Sequence, residues 1–155
     1  MKRALLFSVL AALFLTAGCG KFDVINHPAE GISQAPKICI IDNPQTREGF
    51  MQAMQSWLVK EGISYQVLPA GTDVADCEWS LRYVGRWSWD VALFLSDAEI
   101  TAYRNGKQVG NERLIVGQWD SNKFEKGEVR IHKIMDMLFS KASHYAMPKK
   151  KTASK

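Results

Sequence analysis

Lys37-Ile38-Cys39-Ile40-Ile41-Asp42-Asn43-Pro44 decides the fold of this chain. Its apolar core, rich in β-branched isoleucine, has strand length and no alternation, the pattern of a strand buried on both faces. Asn43 is a good N-cap and Pro44 suits the first helical position, so a helix is expected at once. Phe50, Met54, Trp57, Leu58 and Glu61 then recur on one mainly apolar helical stripe that ends at Gly62. Ile63 to Leu68 reads as a second strand. Residues 37–68 therefore form a βαβ unit, whose strands should lie parallel across a right-handed crossover.

Beyond the turn-rich Pro69-Ala70-Gly71-Thr72-Asp73 the period changes to two. Trp79, Leu81 and Tyr83 alternate with Glu78, Ser80 and Arg82, as in a strand with one wet face. A turn or bulge is expected over Gly85–Ser88. Val91 to Leu95 is apolar on both faces, and Ala98, Ile100 and Ala102 continue that strand in alternation to Tyr103. Asn105-Gly106 is a strong two-residue hairpin signal, returning the strand through Lys107 to Trp119. Ile131, Ile134, Met135, Leu138 and Phe139 mark a final helix. The order β-α-β-β-β-β-α predicts an α+β fold, α/β by a looser convention: a mixed sheet of about five strands with both helices on one face.

Upstream, Gly20 to Pro36 is rich in Gly, Asn, His, Pro, Ser and Gln, a composition that reads as a tether over residues 19–36. The first eighteen residues have a different character. Met1-Lys2-Arg3 is a positive start, Ala4–Leu15 is apolar but too short to span a bilayer, and small residues lead into Cys19. Leu15-Thr16-Ala17-Gly18-Cys19 resembles a bacterial lipobox, with Thr16 where Leu is usual. The resemblance implies cleavage before Cys19 and transfer of a diacylglyceryl group to its thiol. A plain secretory signal is the alternative. Gly20, rather than Asp, follows Cys19, so the inner-membrane retention signal resembling that of enterobacteria is missing, and the resemblance then implies the periplasmic face of the outer membrane.

Three cysteines would leave one thiol unpaired in an oxidising compartment. Acylation of Cys19 restores the parity and leaves Cys39 and Cys77 as one pair, whose loop closure contributes roughly 3–4 kcal/mol. Two buried free thiols are the other reading. No CxxC spacing is present and His27, His132 and His144 are scattered, so neither a metal nor another cofactor is expected.

The overall excess of positive charge is concentrated at the termini. Lys2, Arg3, Lys149, Lys150, Lys151 and Lys155 account for six of the twenty basic residues, leaving fourteen against sixteen acids in residues 19–148. A body that is slightly acidic is no polyanion binder, so nucleic acid is not an expected partner. Residues 147–155 read as a disordered, lysine-rich tail. The single domain is thus placed at residues 37–146.

Trp87-Ser88-Trp89-Asp90, preceded by Arg82 and Arg86, is the least ordinary stretch. One reading has the two tryptophans covering an end of the sheet with an arginine stacked on them. The other makes Arg82, Arg86, Trp87, Trp89 and Asp90 a partner or ligand patch. Ser88, Asp90 and His132 can be written as a triad, but Ser88 lies in no nucleophile-elbow motif. Cys39, inside an apolar strand, has little thiolate character.

Cys77-Glu78-Trp79-Ser80-Leu81-Arg82-Tyr83-Val84-Gly85-Arg86-Trp87-Ser88-Trp89-Asp90, Tyr103-Arg104-Asn105-Gly106 and Lys123-Phe124 ahead of a helix ending Met137-Leu138-Phe139 resemble the small proteobacterial Sbal-type lipoproteins. This resemblance covers most of residues 37–140. It implies an envelope lipoprotein and brings no catalytic residue with it. The expectation is a membrane-anchored, non-enzymatic interaction or accessory module facing an envelope protein or the cell wall. A small-ligand binder or hydrolase with a pocket near Trp87, Trp89 and Asp90 is the alternative.

Overall fold

A computed structural model of the chain describes residues 23–141 apart from Gln118. Cys19, the signal segment and the lysine-rich tail lie outside the described residues. The sheet contains β1 (Asp23–His27), β2 (Ile38–Ile41), β3 (Tyr65–Leu68), β4 (Trp79–Asp90), β5 (Ala92–Arg104) and β6 (Lys107–Ile115). Two helices, α1 (Glu48–Lys60) and α2 (Gly127–Leu138), pack on it. The strand order is β1-β6-β5-β4-β2-β3. β2 runs parallel to both β3 and β4, and the remaining neighbours are antiparallel. This is the expected α+β fold with one strand more than expected.

The helices lie side by side: the Trp57 ring of α1 meets Phe139 at 4.7 Å and its indole N–H donates to Asp136 at 2.9 Å. Beneath them, Ile38 and Ile40, Leu81 and Tyr83, Ala98 and Ile100, and Leu114 form the core with Phe50, Met54, Leu58, Ile131, Ile134 and Leu138. The alternation of β4 places its buried apolar residues Trp79, Leu81 and Tyr83 on this face, the physical reason the period of two was readable. The other face carries Asp97, Glu99, Thr101, Asn111 and Arg113, linked by hydrogen bonds.

The additional strand lies inside the stretch read as a tether. β1 adds to the open edge of β6, Asp23 opposite Ile115 and His27 opposite Asn111. Its hydrogen bonds come from a partner more than eighty residues away, which local composition does not reveal. The chain then crosses beneath α2, where the Ala29 N–H donates to the Leu138 carbonyl at 2.9 Å and Ala29 and Ile32 are buried. Gly110 permits this crossing, because a Cβ there would stand 2.7 Å from that of Ala29.

Asn43 and Pro44 open a turn rather than the helix itself. The Asn43 side chain accepts from the Gln45 N–H, donates to Thr46 Oγ1 and donates to the Tyr83 carbonyl, and α1 begins only at Glu48. Asn43 has a neighbouring strand to satisfy, so it ties the β2 end to β4 instead of capping. The last strand also stops earlier than expected, at Ile115, and Trp119 lies in the loop beyond it.

Cys39 and Cys77 are joined by a disulfide, with Cα atoms 6.4 Å apart. It fastens β2 to the segment before β4, on the face away from the helices. At that end Asn105 and Gly106 both have positive φ, the conformation that the Asn-Gly hairpin signal requires. Gly106 packs against Ala75, and the Asn105 N–H donates to the Glu78 carbonyl at 2.8 Å. The opposite hairpin, joining β4 to β5, turns at Val91, which is itself left-handed at φ 61°.

Candidate functional site

The five residues read as one patch are divided between the two faces of β4. Trp87 and Trp89 continue the helix-side series of Trp79, Leu81, Tyr83 and Gly85, whereas Arg82 and Arg86 alternate to the other side. Arg82 donates to the Thr72 carbonyl at 3.1 Å. Arg86 reaches Asp97 at 2.5 Å, and Arg113 donates to the same carboxylate at 2.7 and 2.9 Å. Arg113 foremost holds the Asp97 carboxyl below its ordinary range, against burial, with Arg86 adding to the effect.

The cation over Trp87 comes from elsewhere: the Arg47 guanidinium, just before α1, lies 5.6 Å from the ring centroid. Trp87 also meets Phe50 edge-on at 6.4 Å. Gly85 makes room for this pair, since a Cβ there would stand 2.6 Å from Phe50 and 2.8 Å from Trp87. Trp87 is therefore the edge of the core, as the packing reading held for both tryptophans. Trp89 is not: it is 74% exposed.

Beyond Trp87 the β4–β5 hairpin runs past the helices. Val91 at its turn is 87% exposed, and Leu93, opposite Trp89, is nearly half exposed. The loop after β6 packs along this hairpin. Val116 donates to the Ser96 carbonyl, the Phe124 ring meets Phe94 edge-on at 6.0 Å, and Lys123 pairs with Asp90. Arg130, buried at the start of α2, secures the loop by donating to the Asn122 and Leu95 carbonyls. Burial pulls its guanidinium down from the usual range while Glu125 and Asp120 act in the opposite sense. Trp119 on this loop is 91% exposed and Phe124 half so. Trp89, Val91, Leu93, Trp119 and Phe124 thus gather at one end of the sheet. The aromatic signal at 87–90 pointed to this end; Trp119 was hidden by being read as strand.

The written triad is not assembled. Ser88 Oγ donates to Ser96 Oγ, Asp90 pairs with Lys123, and His132 Nε2 lies 3.0 Å from Ser56 Oγ on α1. An open groove of about 380 Å³ is lined by Arg47, Gly49, Trp87, Gly127, Glu128 and Ile131, without Asp90 or His132. Among the described residues no three His, Cys, Asp or Glu side chains are grouped as metal ligands.

One buried carboxyl escaped the sequence reading. Glu112 on β6 faces the core, fully buried, and among the described residues no donor meets either of its carboxyl oxygens in good hydrogen-bond geometry, the His27 N–H lying near but poorly placed. Burial pushes its pKa up to about 8, with the backbone N–H of His27 offsetting only part of the effect. The shift favours the neutral acid in this apolar layer. A single Glu within a strand of mixed polarity gives no sign that it points inward.

No protein-family model and no curated protein sequence matches the chain, so the likeness to Sbal-type lipoproteins rests on the quoted motifs. Solved structures do match. A dodecamer of PelC from Paraburkholderia phytofirmans is 12% identical over 80% of this chain and 100% of that one, with a TM-score of 0.50. A single-substitution variant of the same dodecamer is 10% identical over 77% of this chain and 95% of that one, with a TM-score of 0.53. The chain has a PelC-like fold.

Proposed function

We propose that this protein is a lipid-anchored envelope lipoprotein at the periplasmic face of the outer membrane, acting as a non-enzymatic module that assembles with copies of itself. The observation that carries the reading is the likeness in fold over nearly the whole length of proteins solved as dodecamers. The lipobox-like segment ending in Cys19, with Gly20 after it, supplies the anchor and the choice of membrane. The scattered Ser88, Asp90 and His132 give the hydrolase alternative no constellation to work with.

Two measurements test this. In membrane fractionation, wild type should sediment with the outer membrane and Cys19→Ala should appear in the soluble periplasm; identical partitioning into the soluble fraction rejects the anchor. Light scattering on the detergent-solubilised chain should give a mass many times that of one chain. A monomer at every concentration rejects the assembly.

A further inference from the structure

The exposed aromatic end of the sheet is also the end at which the chain enters it. β1 begins at Asp23 opposite Ile115, and Ile115 is in turn opposite Asp97 on β5. From Asp97, β5 runs back six residues to the turn at Val91, a projection of about 20 Å. Cys19 precedes Asp23 by four residues, which span at most about 14 Å. The hairpin therefore outreaches the link between domain and anchor.

We propose that Trp89, Val91, Leu93, Trp119 and Phe124 form a lipid-contacting surface that seats the domain on the bilayer to which Cys19 is attached. This rests on the reading of Cys19 as acylated. With acyl chains in the bilayer and so short a link, a tip extending toward the membrane meets it. The side chains suit that position: indole rings favour the boundary between headgroups and acyl chains, and Val and Leu add apolar area. The most exposed of them project from a hairpin turn and a loop rather than lining a groove, a shape fitted to a soft, flat partner. The acyl group supplies attachment, and the protein surface, as a second membrane signal, sets the orientation. The disulfide and the Asn105-Gly106 turn then point into the periplasm.

The test uses the full acylated chain in vesicles of phosphatidylethanolamine and phosphatidylglycerol with brominated acyl chains, which quench nearby indoles. Acylation is first established from the mass of the N-terminal peptide, and an unmodified Cys19 overturns both this proposal and the anchoring reading. Tryptophan emission of the wild type should be quenched. In Trp89→Phe/Trp119→Phe the quenching should fall at least about threefold, because Trp57 and Trp79 are buried and Trp87 is half covered by Arg47 and Phe50. Val91→Asp, which tolerates the left-handed turn, should lower the quenching of the remaining indoles while leaving the melting curve in place. An acylated wild type whose emission is unquenched, or a double variant quenched as strongly as wild type, overturns the proposal. So does a Val91→Asp chain that loses its oligomeric mass with quenching unchanged, since the surface then belongs to a second copy.

Discussion

The two hairpins of the β4–β5–β6 meander make opposite use of a turn. At Asn105-Gly106 both residues suit left-handed backbone, the turn packs on Ala75, and the disulfide holds the adjoining segment to β2. At the other end the turn residue is Val91, β-branched, left-handed and almost wholly exposed. A β-branched side chain in that conformation costs roughly 1–2 kcal/mol. The first end is built for stability. The second places apolar side chains where, among the described residues, little covers them: Trp89, Val91 and Trp119 are largely exposed, and Leu93 and Phe124 about half so.

Substitutions at matched positions can break this contrast. Trp79→Ala, at the pinned end and 3% exposed, should lower the unfolding free energy by about 3–5 kcal/mol, measured by urea denaturation. Reduction of Cys39–Cys77, closing a loop of 38 residues, should cost about 4 kcal/mol in the same assay. Between the two ends, Gly85→Ala should cost about 1–3 kcal/mol by pressing on Phe50 and Trp87. At the open end, Trp89→Ala should change stability by less than about 0.5 kcal/mol. Equal losses for Trp79→Ala and Trp89→Ala would erase the distinction between the ends.

Glu112 sharpens the comparison in a different variable. Its carboxyl is protonated in the folded domain up to about pH 8 but ionises near 4.5 once unfolded. The stability linked to that proton is complete below pH 4.5, declines as pH rises, and is lost on passing through about 8. Glu112→Gln should flatten this slope in thermal melts between pH 5 and 9, an effect of a few kcal/mol at the alkaline end. An unchanged slope would mean that the carboxyl does not stay protonated in the folded domain.

Most of the fold was legible because each strand and helix advertised its own period. The run at Ile38–Ile41 and the alternation at Trp79–Tyr83 are local consequences of which faces are covered. β1 was illegible because what makes it a strand is the open edge of β6, not its own composition. The aromatic site was half legible. Alternation already separates Arg82 and Arg86 from Trp87 and Trp89, and of the turn or bulge expected over Gly85–Ser88 it was the turn that obscured this. β4 runs on to Asp90, and the irregularity is the register shift of a bulge at Arg86/Trp87. Arg47 reaches Trp87 and Lys123 reaches Asp90 only after folding, so no spacing in the chain announces either contact.

The placement of β1 also determines how the domain bears a load. The chain enters at Asp23 and runs antiparallel to β6, with ladder hydrogen bonds lying across the strands. Tension along the strand, between Asp23 and a holder at the far end of the sheet, is therefore applied in shear. The five register pairs from Asp23 and Ile115 to His27 and Asn111 bear it together instead of parting one after another. A force from the N-terminal side reaches the core through a clamped strap rather than a zipper.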